Sequence, residues 1–249
     1  MTNSALLTRI KGGKTGRYSG FEHFNLHMMG GKRGGAVTRS AFLQLLNSKK
    51  EFLIAVFANL IAQLGITYYV MSNYKGPDKN NFMFWGLFVV EIIIIFALAL
   101  IPMPSWLKFI LFSMFSVCWG IMLSFMKKTV DSKIIQMAIL GTLSIFGVMF
   151  LFGATLIMFG VNLGLQFAAF LFYALLLLII VQIVTLFTSG SMKFIYILSL
   201  VLFSLYIIYD TNNILQREYY GDFITASLDY YLDIINVFID LVGIFGNSN

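Results

Sequence analysis

Five oxygen-bearing side chains recur near the end of this sequence, at Asp222, Asp229, Asp233, Asn236 and Asp240. Their offsets of 0, 7, 11, 14 and 18 residues project, at roughly 100° per helical residue, onto one stripe about 60° wide. Ile224, Leu228, Tyr231, Leu232, Ile234, Ile235, Val237, Phe238 and Ile239 occupy the other faces and suit lipid. Such a stripe must face water or counter-charge, and it suits two chemistries. Carboxylates held close cannot all stay ionised, so they titrate as a unit and can sense protons. The same oxygens are hard ligands of the kind Ca2+ takes. A third reading is structural: protonated carboxyls that hydrogen-bond neighbouring helices.

Two acids outside this stripe share its isolation. Asp210 sits in Tyr206-Ile207-Ile208-Tyr209-Asp210-Thr211, on one helical face with Ser199, Tyr206 and Asn213. Glu91 stands alone in Val89-Val90-Glu91-Ile92-Ile93 and reads either as a hydrogen-bonding residue of a bundle or as part of an ion path. Asn59, Gln63 and Thr67 repeat at steps of four and add a milder polar stripe. From residue 52 to residue 193 there is no arginine, and the lysines fall in or beside the breaks between apolar runs. No base therefore lies deep enough to neutralise Asp210 or Asp233. Ionisable groups at such depth are costly and point to function.

Other chemistries are excluded by absence. Cys118 is the single cysteine, so neither a disulfide framework nor a multi-thiolate metal site is available. His23 and His27 both lie in the leader, and no histidine follows residue 51. With no nucleophile–base pair the chain is not expected to be an enzyme, and no cofactor is expected.

The elements that must position these acids are membrane helices. The composition is 59% hydrophobic, 16% aromatic and 11% charged, with a mean hydropathy of +0.86, which belongs to a chain solvated by lipid. Seven apolar stretches are long enough to cross a core of about 30 Å: 52–71, 82–101, 106–126, 134–158, 163–187, 194–213 and 223–245, the last spanning or re-entrant. The stretch 134–192 is free of charge, and Gly160-Val161-Asn162 is its one plausible break. Residues 1–51 carry nine basic and two acidic residues, a net +7 that leaves −1 for the rest. The domain reading is thus a basic, Gly-rich, disordered tail at 1–50 and a transmembrane domain at 51–249. The basic tail puts the N-terminus on the cytosolic side. It lacks the folded basic face that nucleic acid would need.

The segment Ile207-Ile208-Tyr209-Asp210-Thr211, followed by Asp233 in Tyr231-Leu232-Asp233-Ile234-Ile235-Asn236, closely resembles the paired C-terminal signature of the transmembrane Bax inhibitor motif family, especially its Lifeguard and Golgi anti-apoptotic members. Residues 56–67 and Glu91 agree with that layout. The resemblance implies an all-α, seven-helix membrane protein that leaks Ca2+ from internal stores in a pH-dependent way and suppresses cell death. It makes Asp210 and Asp233 the pH-sensing pair and transient Ca2+ ligands, with Asp222, Asp229, Asn236, Asp240 and Glu91 as further candidates for the ion path. Partners would be the lipid bilayer, Ca2+, H+ and apoptotic regulators. The membrane would be that of the endoplasmic reticulum or Golgi, or alternatively the mitochondrial inner membrane. Bacterial members carry a basic residue at the end of the second helix that latches onto the pair; the matching stretch, Ile101-Pro102-Met103-Pro104, has none, and Lys108 is the nearest base. Two other functions stay open, an H+/Ca2+ exchanger and a non-conducting regulator that binds apoptotic proteins.

Overall fold

The computed structural model describes residues 39–76, 81–187, 192–216 and 219–246, and no strand occurs among them. Helices follow one another as α1 (Arg39–Ser48), α2 (Lys50–Asn73), α3 (Asn81–Leu100), α4 (Ser105–Lys127), α5 (Ser132–Met158), α6 (Leu165–Phe187), α7 (Met192–Gln216) and α8 (Phe223–Gly246), with a 3-10 turn at Tyr219–Gly221 before α8. Helices α2 to α7 are each long and apolar enough to cross a membrane. Helix α1 falls inside the stretch 1–50 expected to be disordered. The remainder of that tail, with His23 and His27, and the polar turns at 77–80 and 188–191 lie outside the described residues.

Helix α8 has 24 residues, about 36 Å at the helical rise. It runs without interruption. Its three aspartates separate it from the other six by composition, and its location does so by packing. It sits at the centre of the bundle, in contact with α2, α4, α5 and α7, while α3 packs outside against α4 and α6 against α7. The faces expected to suit lipid are therefore covered by protein: Ile224, Leu228, Tyr231, Ile234, Ile235, Val237 and Phe238 are all buried. Lipid-compatible surface belongs to the outer helices, as with Val89, Ile92 and Ile93 of α3 and Leu177, Ile180 and Ile183 of α6. A helix bearing acids gains from this centre because surrounding helices, not hydrocarbon, meet its polar groups.

Aromatic rings fill the space around α8. Tyr230 packs edge-on against Phe146 at 5.2 Å between centroids and stacks on Phe57 at 6.1 Å, while Tyr231 meets Phe112 at 5.2 Å. Both hydroxyls are buried and bonded: Tyr230 donates to Thr211 Oγ1 at 3.0 Å, and Tyr231 lies 2.6 Å from Thr67 Oγ1. Glycine lets two helices come closer than side chains allow. A Cβ on Gly153 would stand 2.7 Å from the Ile208 carbonyl oxygen, so α5 and α7 meet backbone to backbone across it. The expected break at 160–162 is real: Gly160 has φ of 74°, and Asn212 of α7 holds the turn by accepting from Leu163 N at 2.9 Å and donating to Val161 O at 3.1 Å.

Candidate functional site

One end of the bundle gathers the starts of α2, α4 and α8 with the end of α7. Buried Lys49 reaches the Ile214 carbonyl there, and Lys108 forms an ion pair with Asp222. Asp222 also caps α8, because its Oδ1 accepts the Thr225 amide at 3.1 Å and its Oδ2 accepts the Thr225 hydroxyl at 2.8 Å. Burial alone would raise the Asp222 carboxyl. The hydrogen bonds from Lys108 and Thr225, with the Lys108 charge, outweigh that and hold it below its ordinary value of 3.8.

Inside this mouth lies a cleft of about 310 Å³ between α6, α7 and α8. Asp210, Asp229 and Asp233 line it together with Tyr206, Tyr209, Asn213 and Tyr219, and apolar Leu175, Phe203 and Leu232 complete it. Among the described residues that line it there is no lysine or arginine. Asp210 is 7% and Asp233 3% exposed, and their carboxyls meet within hydrogen-bonding reach. Two carboxyl oxygens hydrogen-bond only when one carries the proton. Asp233 Oδ2 receives no hydrogen bond from an amide, amine or hydroxyl.

Tyr219 closes this cleft. Its hydroxyl donates to Asp229 Oδ2 at 3.0 Å and accepts from Asn213 Nδ2 at 3.1 Å, so the loop between α7 and α8 is tied over the acids. The backbone at Tyr219 has φ of 41°, the one non-glycine with positive φ among the described residues, a conformation that persists only when its surroundings hold it. Burial first, then the charges of Asp229 and Asp210, keep the phenol above its ordinary value of 10, so it remains a donor. Sequence reasoning missed Tyr219. Its signal was the pair Tyr219-Tyr220 before Gly221 and Asp222, a turn that returns an aromatic hydroxyl to the preceding helix.

The remaining candidates disperse. Asn236 lies on the stripe but donates to the Leu232 carbonyl of its own helix at 2.7 Å, which spends its amide locally. Asp240 is 4% exposed, bonded to Ser199 and apart from the cleft residues. Glu91 is also 4% exposed, lies within electrostatic reach of Cys118 and Tyr231, and leaves Oε1 without a partner. Lys108 serves Asp222 at the mouth and is not a latch on the Asp210–Asp233 pair. The polar stripe of α2 is structural: Asn59 donates to Ser227 at 2.6 Å, Gln63 Oε1 accepts from Ser116 at 2.8 Å, and Thr67 bonds Tyr231, which together fasten α2 to α4 and α8. No group of three acids, cysteines or histidines suited to a metal occurs among the described residues.

Residues 49–249 match the model of the family described as inhibitor of apoptosis-promoting Bax1. An uncharacterized protein of Campylobacter jejuni is 28% identical over 222 residues, covering 85% of this chain and 92% of that protein. Another, from Helicobacter pylori, is 30% identical over 168 residues, covering 65% of this chain and 71% of that protein. Protein LIFEGUARD 1 of Arabidopsis thaliana is 40% identical over 82 residues, 31% of this chain and about a third, 34%, of the plant protein.

Proposed function

Because this chain belongs to the Bax inhibitor family, the inhibitors of apoptosis-promoting Bax1, we propose that it is a multi-pass membrane protein that leaks Ca2+ under proton control at Asp210 and Asp233. One observation carries the reading: the two buried carboxyls meet each other in a cleft whose described lining residues include no base. With one shared proton they are held together. Without it two like charges stand at short range, and they must separate or be bridged by a divalent cation. Protons and Ca2+ therefore compete for the same oxygens, and the pair titrates as a unit. Asp229, tied to Tyr219, adds a third oxygen donor one helical turn away, toward the mouth. Hard carboxylate oxygens fit Ca2+. By the same reading its membrane is that of an internal store, and restraint of cell death follows from the lowered Ca2+ load there.

Ca2+ flux from proteoliposomes, measured across pH for wild type, Asp210→Asn and Asp233→Asn, tests this directly. Each amide removes the shared proton, so the pH dependence should vanish in both variants. An unchanged pH profile in either would remove the sensor role. Competition at one site also favours a second reading, H+/Ca2+ exchange. An imposed proton gradient that drives Ca2+ uphill would select it over a leak.

A further inference from the structure

The α7–α8 seam continues past the cleft. Asp240 follows Asp233 by seven residues, about 10 Å along the helix axis. Between these levels α7 contributes Phe203 and Leu202, 9% and 7% exposed, and α8 contributes Val237, fully buried. The cleft extends to Phe203 and does not include Asp240. Phe203, Leu202 and Val237 thus separate the second carboxyl from the first pair, and the one polar side chain of α8 between them on that stripe, Asn236, donates its amide to its own backbone.

Beyond that layer the polar groups are incompletely matched. Asp240 is bonded to Ser199, itself 2% exposed, yet its Oδ2 has no hydrogen-bond partner. Thr142 of α5, 4% exposed, leaves Oγ1 without a partner as well. It adjoins Gly141, where α5 touches Leu241 of α8 closely enough that an added Cβ would lie 2.9 Å from the Leu241 side chain. The titratable group near Asp240 is Tyr196 of α7, whose ring packs beside Gly243, less than one turn further along α8. Helix α5 carries no charge after Lys133, α7 carries only Lys193 at its start and Asp210 three turns away, and α8 has no base. Helices α2 and α4, the other elements packed on α8, hold their charges only near their ends. A buried carboxyl with a free oxygen, one hydroxyl bonded to it, a second unpartnered hydroxyl on the adjoining helix and no fixed counter-charge among the described residues is suited to a mobile cation.

We propose that Asp240, Ser199 and Thr142 form a second station for the permeating Ca2+, on the far side of the Phe203–Val237 layer from Asp210 and Asp233. The proposal rests on the reading of the cleft as a cation path. A single carboxylate with two hydroxyls binds Ca2+ weakly and leaves it largely hydrated, which lets the ion depart.

Terbium, which substitutes for Ca2+ and luminesces when excited through a neighbouring tyrosine, separates the two stations. In protein carrying both Asp210→Asn and Asp233→Asn, the expected result is a reduced but persistent terbium signal that disappears when Asp240→Asn or Tyr196→Phe is added. A double variant with no remaining signal overturns the second station. A double variant with the full wild-type signal instead overturns the Asp210–Asp233 site, and the added Asp240→Asn then still decides whether Asp240 binds. In proteoliposomes Asp240→Asn alone should keep the terbium signal of the first pair, showing the bundle intact, while Ca2+ flux falls about tenfold, the order expected for removing one charge from a low-dielectric path. Unchanged flux overturns the proposal. So does a fall in flux accompanied by loss of the first pair's signal, which would mean that Asp240 only holds the bundle together.

Discussion

Replacing Tyr219 by phenylalanine tests whether one hydroxyl holds the loop over the acids. The ring remains, so packing changes little, while two hydrogen bonds are lost: the one donated to Asp229 at 3.0 Å and the one accepted from Asn213 at 3.1 Å. A hydrogen bond to an ionised group contributes about 1.5–3 kcal/mol and one between neutral groups about 0.5–1.5. Together they stabilise the closed loop by about 2–4 kcal/mol. Against this stands the left-handed backbone at Tyr219, φ 41°, which costs about 1–3 kcal/mol. With the bonds gone the strain is unopposed, and the open-loop population should rise about 30- to 1,000-fold, taking a factor of ten per 1.4 kcal/mol. The reporter is the Asp222 amide, which donates to the Tyr219 carbonyl at 2.8 Å. Hydrogen exchange of the protein in nanodiscs should show protection of that amide falling by the same factor, with amides in the middle of α8 unaffected. Ca2+ leak should rise in parallel. Protection of the Asp222 amide that stays within about threefold of wild type would refute the argument that the hydroxyl maintains the strained turn.

Two further outcomes follow from the mouth and from the helix contacts. A double-mutant cycle on Lys108→Met and Asp222→Asn should give a coupling of about 1 kcal/mol, since the pair is partly exposed. Because the folded Asp222 carboxyl is held below 3.8, that stabilisation is fully present above the ordinary value and is lost as pH falls through the folded one; coupling that shows no decline in thermal unfolding as the pH is taken progressively below 3.8 would contradict it. Gly153→Ala places a Cβ 2.7 Å from the Ile208 carbonyl oxygen and 2.9 Å from Thr211 Cβ, a clash that backbone cannot yield to easily, so melting in detergent should drop by an amount equivalent to about 1–3 kcal/mol. Gly147→Ala, with nothing within 4 Å, is the matched control and should leave melting unchanged.

Much of this architecture was legible because lipid imposes length and apolarity on every span. The expected stretch 106–126 became Ser105–Lys127, and the charge-free run was cut at Gly160 as the turn residues implied. Asp210 and Asp233 were also legible, since acids without a base stand out in so apolar a chain. The single stripe on α8 misled in one respect. Angle on a helix says which way a side chain points, but position along the axis decides which neighbours it meets. Asp222 meets Lys108, Asp229 meets Tyr219, Asp233 meets Asp210 and Asp240 meets Ser199. Asn236, on the same stripe, meets its own backbone.

By itself, then, the sequence determined that the chain lives in a membrane, how many long helices it forms, where they break, and which scarce acids must be sheltered. These are properties of composition and period, and each is local. Tertiary structure alone decided that the acid-bearing helix takes the centre and that a loop tyrosine closes the cleft. It alone decided too that a lysine 114 residues away, Lys108, serves Asp222 and not the aspartate pair. Those outcomes depend on which helices pack together and at what height, and the energies that choose among packings are sums over side chains remote in sequence.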